Sequence, residues 1–193
     1  MNFTEITMNI DQTSLPGVLL ISPTVFGDAR GFFMETFRRD VMDAAGIPPL
    51  VQDNHSRSVR GTLRGLHFQH PHGQGKLIRV VTGVVFDVVV DVRRGSPAFG
   101  RWEGYELSGD NKQQLWVPPG FAHGFCVLSD TADFLYKCSD YYHPETEQTL
   151  LWNDPDVGVE WPVDEPILSG KDQRGVPLRD LVGLPEFREG TEE

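Results

Sequence analysis

The chain has 193 residues, and its 17 basic against 28 acidic side chains give a formal net charge of −11. A hydrophobic fraction of 39% with 10% aromatic residues is typical of a packed protein and excludes a disordered chain. The acidic balance disfavours binding to nucleic acid or to an anionic membrane, because that affinity comes mostly from basic side chains.

The predicted elements are mostly short strands separated by glycine and proline. In chain order, strands are predicted at 17–21, 63–69, 76–82, 84–92, 114–117, 124–128 and 134–142. One helix is predicted at 39–45, because Gly46 and two prolines follow it. Thr82-Gly83 predicts a tight hairpin between two valine-rich strands, because glycine takes the positive φ that such turns need. The pattern favours an all-β fold, an antiparallel sandwich or barrel, in a single domain spanning 1–193.

The strand predicted at 84–92 alternates between an apolar and a polar face. The apolar face begins at Phe86 and takes every second residue, whereas Asp87 and Asp91 lie on the other face. Such alternation is typical of a strand with one buried face, so we predict that this strand is half-buried.

The ends of the chain and its cysteines bear on location. The start of the chain lacks the basic and apolar regions of a secretory signal, and no apolar run reaches the roughly 20 residues of a membrane helix. Cys126 and Cys138 are too few for a disulfide framework, which is typical of a reducing compartment. We therefore predict a cytoplasmic protein with no membrane partner. The charged last stretch, 186–193, is expected to be a frayed acidic tail.

Positive charge is concentrated in residues 52–82, where five basic side chains accompany a single acid, Asp53. The five are Arg57, Arg60, Arg64, Lys76 and Arg79. Arginine's planar fork suits phosphate or diphosphate oxygens, so we predict a site for a small anionic ligand; the alternative is a solvated basic face. The chain has neither a Walker-type loop nor a GxGxxG after a strand, which excludes P-loop and Rossmann phosphate sites.

Histidines at positions 67, 70, 72 and 123 raise the question of a metal site. His67 and His70 are an odd number of residues apart, so on a strand they would face opposite sides and could not bind one metal. His70 and His72 flank a proline in a predicted turn. No Asp or Glu lies in residues 66–85, so the cluster lacks a carboxylate ligand. We therefore favour acid–base chemistry without metal, and we assign His70 and His72 to the surface or to a rim.

Two side chains are candidates for that chemistry. His67 lies on the predicted strand 63–69, and a histidine facing a barrel interior is a candidate general base because its pKa lies near neutrality. Its alternative role is that of a hydrogen-bonded core histidine. Tyr136 shares a face with Phe134 and Cys138 and is predicted to point inward, where the alternative is ordinary core packing with a paired hydroxyl.

Eight blocks of sequence, taken in order, resemble the dTDP-4-dehydrorhamnose 3,5-epimerase family. They are FGDARGFFMETF (26–37), QDNHS (52–56), GTLRGLHFQ (61–69), QGKLIRVVTGVVFDVVVDVRRGSPAFG (74–100), LWVPPGFAHGF (115–125), FLYKCSDYY (134–142), WNDP (152–155) and LSGKD (168–172). The resemblance implies a double-stranded β-helix, the cupin-type jelly roll, with few short helices. It also implies a homodimer and an active site inside the barrel that uses neither a metal nor an organic cofactor.

The resemblance further implies a reaction on a dTDP-sugar. The family inverts carbons 3 and 5 of dTDP-4-keto-6-deoxy-D-glucose, giving dTDP-4-keto-L-rhamnose, and both carbons lie alpha to the C4 ketone. Proton removal therefore forms an enolate, which requires a base, an oxyanion stabiliser and an acid on the opposite face. Carried over by motif, the base is His67 in RGLHFQ, which Asp172 in LSGKD orients. Lys76 in QGKL would hold the enolate oxygen, and Tyr136 in FLYK would return a proton.

Substrate-binding positions follow from the same resemblance. They are Arg30, Glu35, Gln52, Asn54, Arg64, His123, Glu147 and Lys171. Arg30 and Glu35 would reach the nucleotide-sugar from their own subunit or from the partner. Arg64 and His67 are an odd number of residues apart, so both can face the ligand only if Gly65 carries a bulge or a bend.

Three alternatives stay open on the sequence. Relatives in antibiotic deoxysugar pathways epimerise carbon 3 alone, and pocket shape can decide this because a misplacement of ~1 Å costs about 10²-fold in rate. A 3,4-ketoisomerase of related fold is the second alternative. The third is a non-catalytic cupin that binds a nucleotide-sugar as a sensor, which explains the arginines but not why all four catalytic positions occur together.

Overall fold

The structure is a computed structural model that describes residues 8–188. Within that range the chain forms thirteen strands and one α-helix, α1, which spans Arg39–Ala44. The strands are β1 (Met8–Gln12), β2 (Leu19–Pro23), β3 (Val25–Asp28), β4 (Gly31–Met34), β5 (Gln52–Val59), β6 (Leu63–Gln69), β7 (Lys76–Thr82), β8 (Val84–Asp91), β9 (Trp102–Ser108), β10 (Gln114–Val117), β11 (Phe121–Val127), β12 (Thr131–Cys138) and β13 (Glu147–Thr149). Short 3-10 turns lie at Pro144–Thr146, Asp172–Arg174 and Leu178–Asp180.

The strands form two main antiparallel sheets. The six-stranded sheet has the order β1-β2-β10-β7-β12-β5, and the five-stranded sheet has the order β13-β6-β11-β8-β9. Strands β3 and β4 form a separate hairpin. The all-β, jelly-roll prediction is therefore confirmed. The predicted helix is present as α1, which ends at Ala44, and Gly46 follows it with a φ of +74°.

The core lies between the two sheets because each sheet turns an apolar face toward the other. Ile78 and Leu115 come from the six-stranded sheet, and Val85 and Val89 come from the five-stranded sheet; all four are fully buried in one cluster. Side chains from both sheets, many of them polar, also line a cavity.

Strand β8 is buried on both faces, so the prediction of a half-buried strand is wrong. Its apolar face, with Val88 and Val90, packs under the C-terminal segment that includes Leu178. Its polar face points inward, and Asp87 and Asp91 are both 0% exposed. The alternation of residue types along a strand shows that its two faces have different surroundings. It does not show that a distant segment of the chain will cover the outer face.

Thr82-Gly83 is a corner between the sheets, so the prediction of a hairpin is wrong. It joins β7 in the six-stranded sheet to β8 in the five-stranded sheet, and these two strands are not neighbours. Gly83 has a φ of +79°, and a Cβ added there would lie 2.1 Å from the carbonyl oxygen of Thr131. Glycine is therefore required here by a close approach of the backbone as well as by its φ.

The bulge predicted at Gly65 is confirmed. His67 pairs with His123 while Arg64 pairs with Phe125, so three steps along β6 match two steps along β11. Gly65 has a φ of +122°, which glycine adopts readily. The extra residue turns Arg64 and His67 toward the same cavity despite their odd separation.

The ends of the described chain are held by pairing. Glu186 bridges to Arg94, and the backbone N–H of Phe187 donates to the carbonyl oxygen of Arg94 at 2.8 Å. The stretch that we predict to be frayed is therefore paired at its start. Residues 189–193 lie outside the described range, as do residues 1–7, where we predict no secretory signal. In the described part of the chain, no helix has the length and apolar character needed to cross a membrane.

Candidate active site

A cavity of about 720 Å³ is lined by side chains from both sheets. Ten of the twelve predicted site residues line it, namely Gln52, Asn54, Arg64, His67, Lys76, His123, Tyr136, Glu147, Lys171 and Asp172. The six-stranded sheet contributes β5, β7 and β12, and the five-stranded sheet contributes β6, β11 and β13. Positions scattered over 121 residues of sequence (52 to 172) thus meet in one volume.

A histidine–carboxylate pair stands on one wall of the cavity. His67 Nε2 lies 2.7 Å from Asp172 Oδ1. The same carboxylate accepts hydrogen bonds from the backbone N–H of Gly65 at 3.2 Å and from Ser169 Oγ at 2.6 Å. Asp172 is only 2% exposed, so these bonds fix its orientation. With Nε2–H donated to the carboxylate, Nδ1 of His67 is left to accept a proton.

The charges of this pair are set by opposing effects. Burial of Asp172 disfavours its ionised form, but the hydrogen bonds from His67 and Ser169 outweigh burial and lower its pKa to about 2. Burial lowers the pKa of His67 below its ordinary value, and the charge of Lys171 acts in the same direction, while Asp172 opposes both. The pair therefore consists of a neutral imidazole beside an ionised carboxylate near neutral pH, which is the state of a general base.

Lys76 lies on the opposite sheet, on β7, and its ammonium is close to Tyr136. The Lys76 Nζ atom is 6.0 Å from the centre of the Tyr136 ring. Burial lowers the pKa of Lys76, and the nearby Cys138 and Glu147 act against that shift. A poorly solvated ammonium strongly favours an anion forming beside it, because little water competes for either charge.

Tyr136 enters the cavity from β12, on the sheet opposite His67. Burial raises the pKa of its phenol, and Cys138 and Glu147 add to that effect. The hydroxyl therefore keeps its proton near neutral pH and can donate it to a stronger base. A proton acceptor and a proton donor consequently flank the cavity from its two sides.

Asp87 is a buried acid that contacts the cavity residue His123, and sequence reasoning did not select it. Both of its carboxylate oxygens lie 3.0 Å from His123 Nε2. Burial raises the pKa of Asp87, while His123 and Lys76 lower it. The available signal was an acid on a valine-rich strand, which we took as facing away from the core. Gln74 and Tyr142 do line the cavity, and they were not predicted as site residues.

The predicted binding residues form a polar network around the mouth. Lys171 Nζ lies 2.8 Å from Glu147 Oε2, which also accepts a hydrogen bond from the Tyr142 hydroxyl at 2.9 Å. Gln52 Nε2 donates to Asn54 Oδ1 at 3.2 Å, and Arg64 Nε donates to Ser58 Oγ at 3.0 Å. These groups supply both cations and neutral donors to whatever occupies the cavity.

The basic cluster predicted at 52–82 is only partly gathered. Arg64 and Lys76 line the cavity, but Arg57 pairs with Asp133 on the outside of the sheet. Arg60 pairs with Asp130, and Arg79 lines a separate cavity of about 290 Å³. Of the five basic residues on which the prediction of a site for a small anionic ligand rests, only Arg64 and Lys76 line this cavity.

Arg30 and Glu35 lie away from the cavity of their own chain. Arg30 is at the tip of the β3–β4 hairpin, where its side chain is 83% exposed and paired with Asp28. Neither residue is among those lining the cavity.

The fold and the cavity define a class of protein: a cupin-type jelly roll with an acid–base site between its sheets. The model of the family described as dTDP-4-dehydrorhamnose 3,5-epimerase matches residues 12–180. That match covers most of the chain, and the chain belongs to this family.

Individual relatives agree with the family match. A dTDP-4-dehydrorhamnose 3,5-epimerase from Shigella flexneri is 54% identical over 176 residues, covering 90% of this chain and 97% of that one. One from Neisseria gonorrhoeae is 57% identical over 174 residues, and the chain spans about half (52%) of its length. The crystal structure of a dTDP-6-deoxy-D-glucose-3,5-epimerase from Legionella pneumophila was solved in complex with dTDP-4-keto-L-rhamnose. It matches with a TM-score of 0.92 at 49% sequence identity, and the match covers 95% of this chain and 100% of that one. A dTDP-4-dehydrorhamnose 3-epimerase from Streptomyces niveus is 40% identical over 186 residues, covering 93% of this chain and 90% of that one.

Proposed function

We propose that the chain is an isomerase that epimerises dTDP-4-keto-6-deoxy-D-glucose at carbons 3 and 5, giving dTDP-4-keto-L-rhamnose. One observation carries the proposal: a histidine–carboxylate pair and a tyrosine hydroxyl flank one cavity from opposite sheets. Inversion at carbon needs a base on one face and an acid on the other, and this geometry supplies both. Family membership and the product-bound Legionella relative support the same reaction.

The first half of the reaction is proton removal by His67. Nδ1 takes the proton from the carbon alpha to the C4 ketone, and the C–H electrons move onto the carbonyl oxygen as an enolate. The resulting imidazolium is stabilised by Asp172, which remains ionised. Lys76 is the group suited to hold the enolate oxygen, because a desolvated ammonium stabilises a developing anion more than water does.

The second half is proton return from Tyr136 on the opposite face. The enolate electrons form a new C–H bond with the phenolic proton, which inverts the carbon and leaves a phenolate. Exchange with water then removes a proton from His67 and restores one to Tyr136, so the site is ready for the second carbon. No atom or electron is gained or lost by the substrate over the cycle.

Binding of the nucleotide diphosphate is assigned to the polar rim. A cavity of about 720 Å³ falls in the ordinary range for small-molecule sites. Arg64 and Lys171 supply positive charge for the phosphates, and Gln52 and Asn54 are suited to the nucleotide. His123, oriented by Asp87, and Glu147 complete the binding set.

The β3–β4 hairpin supports the proposal of a homodimer. Its Phe32 and Phe33 side chains are 61% and 49% exposed, and Val25 and Phe26 are also exposed on the same hairpin. This hairpin, whose two strands pair only with each other, forms an arm. Exposed aromatic residues clustered on such an arm are typical of a protein interface. Docked on a second copy, the arm would carry Arg30 and Glu35 to the partner's cavity. A cytoplasmic location and independence from metal and organic cofactors stay predictions.

The proposal is tested by incubating the protein with dTDP-4-keto-6-deoxyglucose in deuterated water and following carbons 3 and 5 by NMR. Deuterium at both carbons with inversion at both supports the 3,5-epimerase. Inversion limited to carbon 3 would replace it with the 3-epimerase activity named for the Streptomyces niveus relative. Absence of exchange while the ligand binds would favour a non-catalytic sensor. His67→Ala should abolish exchange in the enzyme but change affinity only modestly in a sensor.

A further inference from the structure

The loop between β6 and β7 carries two histidines that the proposed reaction does not use. His72 lies in this loop, and across from it lie Asp140 and His143, in the segment that follows β12. One ligand atom from each of these three residues lies within 4.8 Å of the others. None of the three lines the substrate cavity.

We propose that His72, Asp140 and His143 form a binding site for a zinc ion at the rim of the substrate cavity. Two imidazoles and a carboxylate are a ligand set that zinc favours, and water can complete the coordination at an exposed rim. His72 Nδ1 is already 4.0 Å from Asp140 Oδ2. Donors around tetrahedral zinc lie about 3.3–3.5 Å apart, so small side-chain rotations suffice to close the site.

His72 and His143 are held close to each other by the buried side chain of Gln69, which lies at the end of β6. Gln69 is only 6% exposed, and its Nε2 donates to the carbonyl oxygen of His72 at 2.7 Å. Its Oε1 accepts from the backbone N–H of His143 at 3.0 Å. One amide thus clamps both backbone segments, and the two imidazole rings stack with their centres 4.4 Å apart. The site is therefore assembled by the fold before any ion binds.

A second carboxylate orients one of the ligands. Glu145 Oε1 lies 3.1 Å from Nδ1 of His143. In metal sites, a carboxylate bound to one ring nitrogen fixes the tautomer and leaves the other nitrogen for the ion. Nε2 of His143 is then the ligand atom. Asp140 and Glu145 also give the rim the negative charge that favours a divalent cation.

Zinc at this position would join two segments that border the substrate cavity. Gln74 Nε2 donates to the carbonyl oxygen of Asp140 at 2.8 Å, and both Gln74 and Tyr142 line that cavity. The ion would therefore hold the rim in place without touching the reacting carbons. This site is separate from the His67–Asp172 pair, and the proposal does not depend on the reaction.

The test is calorimetric titration of the chelator-treated full chain with zinc chloride, together with the visible absorption of bound cobalt as a report on coordination. We expect one ion per chain. His72→Ala and His143→Ala should each raise the dissociation constant by more than about tenfold, and Glu145→Gln by about tenfold as an orienting residue. Loss of a tetrahedral cobalt spectrum should accompany the two alanine substitutions. Far-UV circular dichroism checks that each variant is folded.

Two matched controls separate this site from others. His70→Ala removes a histidine of the same loop outside the cluster, and His67→Ala removes the histidine of the catalytic pair. Both should leave zinc affinity unchanged. The proposal is overturned if wild-type protein shows no saturable binding up to about 1 mM zinc, if the His72 and His143 variants bind as tightly as wild type, or if either control abolishes binding.

Discussion

At the residue scale, the protonation state of His67 sets the acidic limit of the proposed activity. Burial lowers the pKa of His67, so the imidazole remains a proton acceptor to a pH below its ordinary pKa of about 6.5. Activity should therefore be present above the pKa of His67 and be lost as the pH falls through it. The acidic limb of the kcat/KM profile should lie below about pH 6.5.

Replacing Asp172 tests the origin of that limb. Asp172 raises the pKa of His67 against the effect of burial. Asp172→Asn should therefore move the acidic limb to lower pH, while kcat falls by about 10²-fold or more because the imidazolium loses its counter-charge. Steady-state rates across pH measure both effects. Movement of the limb to higher pH would contradict the assigned pairing.

Tyr136→Phe should separate proton exchange from inversion. The variant keeps the aromatic ring and leaves His67 intact, so the base can still remove a proton. It lacks the acidic proton on the opposite face, and only His67 can then return a proton, on the face from which it was taken. In deuterated water, NMR should find label incorporated with the original configuration. Inversion at the wild-type rate would remove Tyr136 from the mechanism.

At the scale of elements, the bulge of β6 determines which side chains reach the cavity. A Cβ at Gly65 would lie 2.6 Å from Cα of Gly124 and 2.7 Å from the carbonyl oxygen of His123, on β11. Gly65→Ala must therefore move β6 away from β11. The unfavourable φ costs roughly 1–2 kcal/mol, and the forced displacement adds about 1–3 kcal/mol.

Gly61→Ala is the matched control for that substitution. Gly61 also has a positive φ, +78°, but an added Cβ would meet nothing within 4 Å. The Gly61→Ala variant should lose only the stability that the unfavourable φ costs, and it should keep its activity. The Gly65→Ala variant should lose more stability and most of its activity. Urea unfolding with a parallel rate assay compares the two. Equal losses of stability would mean that contact with β11 is unimportant.

The strands differ in how well the sequence predicts them. β6, β7 and β10 are predicted with the bounds that the structure has, because glycine or proline and a clear apolar pattern mark them. β5, Gln52–Val59, escapes prediction because it is a polar strand at a sheet edge, with no apolar run to mark it. Asp87 can point inward because a segment far along the chain covers the other, apolar face of β8. No local pattern contains that information.

The proposed catalytic pair, His67 and Asp172, likewise cannot be found from a local sequence pattern. His67 and Asp172 are 105 residues apart, and no spacing rule joins a strand to a 3-10 turn at that distance. The resemblance selected Asp172, and the fold brings it to 2.7 Å from the histidine. Pattern reasoning alone identified His67 and Tyr136 as inward-facing candidates, and it could not distinguish them from ordinary core residues.

At the scale of the whole molecule, the position of Arg30 suggests that one chain does not complete its own site. The β3–β4 hairpin carries Arg30 on an arm with exposed phenylalanines, away from the cavity that holds His67. If the arm docks on a second copy, each site combines His67 from one subunit with Arg30 from the other. A monomer whose own arm folded back would instead combine both in one chain.

Mixing two inactive variants distinguishes these arrangements. Arg30→Ala damages only the site of the partner, and His67→Ala damages only the site of its own chain. In a mixed dimer both defects then fall in one site, and the other site is intact. After subunit exchange of equal amounts, about half of the dimers are mixed, so activity should recover to about a quarter of the wild-type rate by the symmetry of a two-fold interface. Light scattering establishes whether the protein is a dimer. The control is the Arg30→Ala variant alone, taken through the same exchange procedure, which should recover no activity. If each chain uses its own Arg30, mixing restores nothing, because every site would then carry one of the two defects.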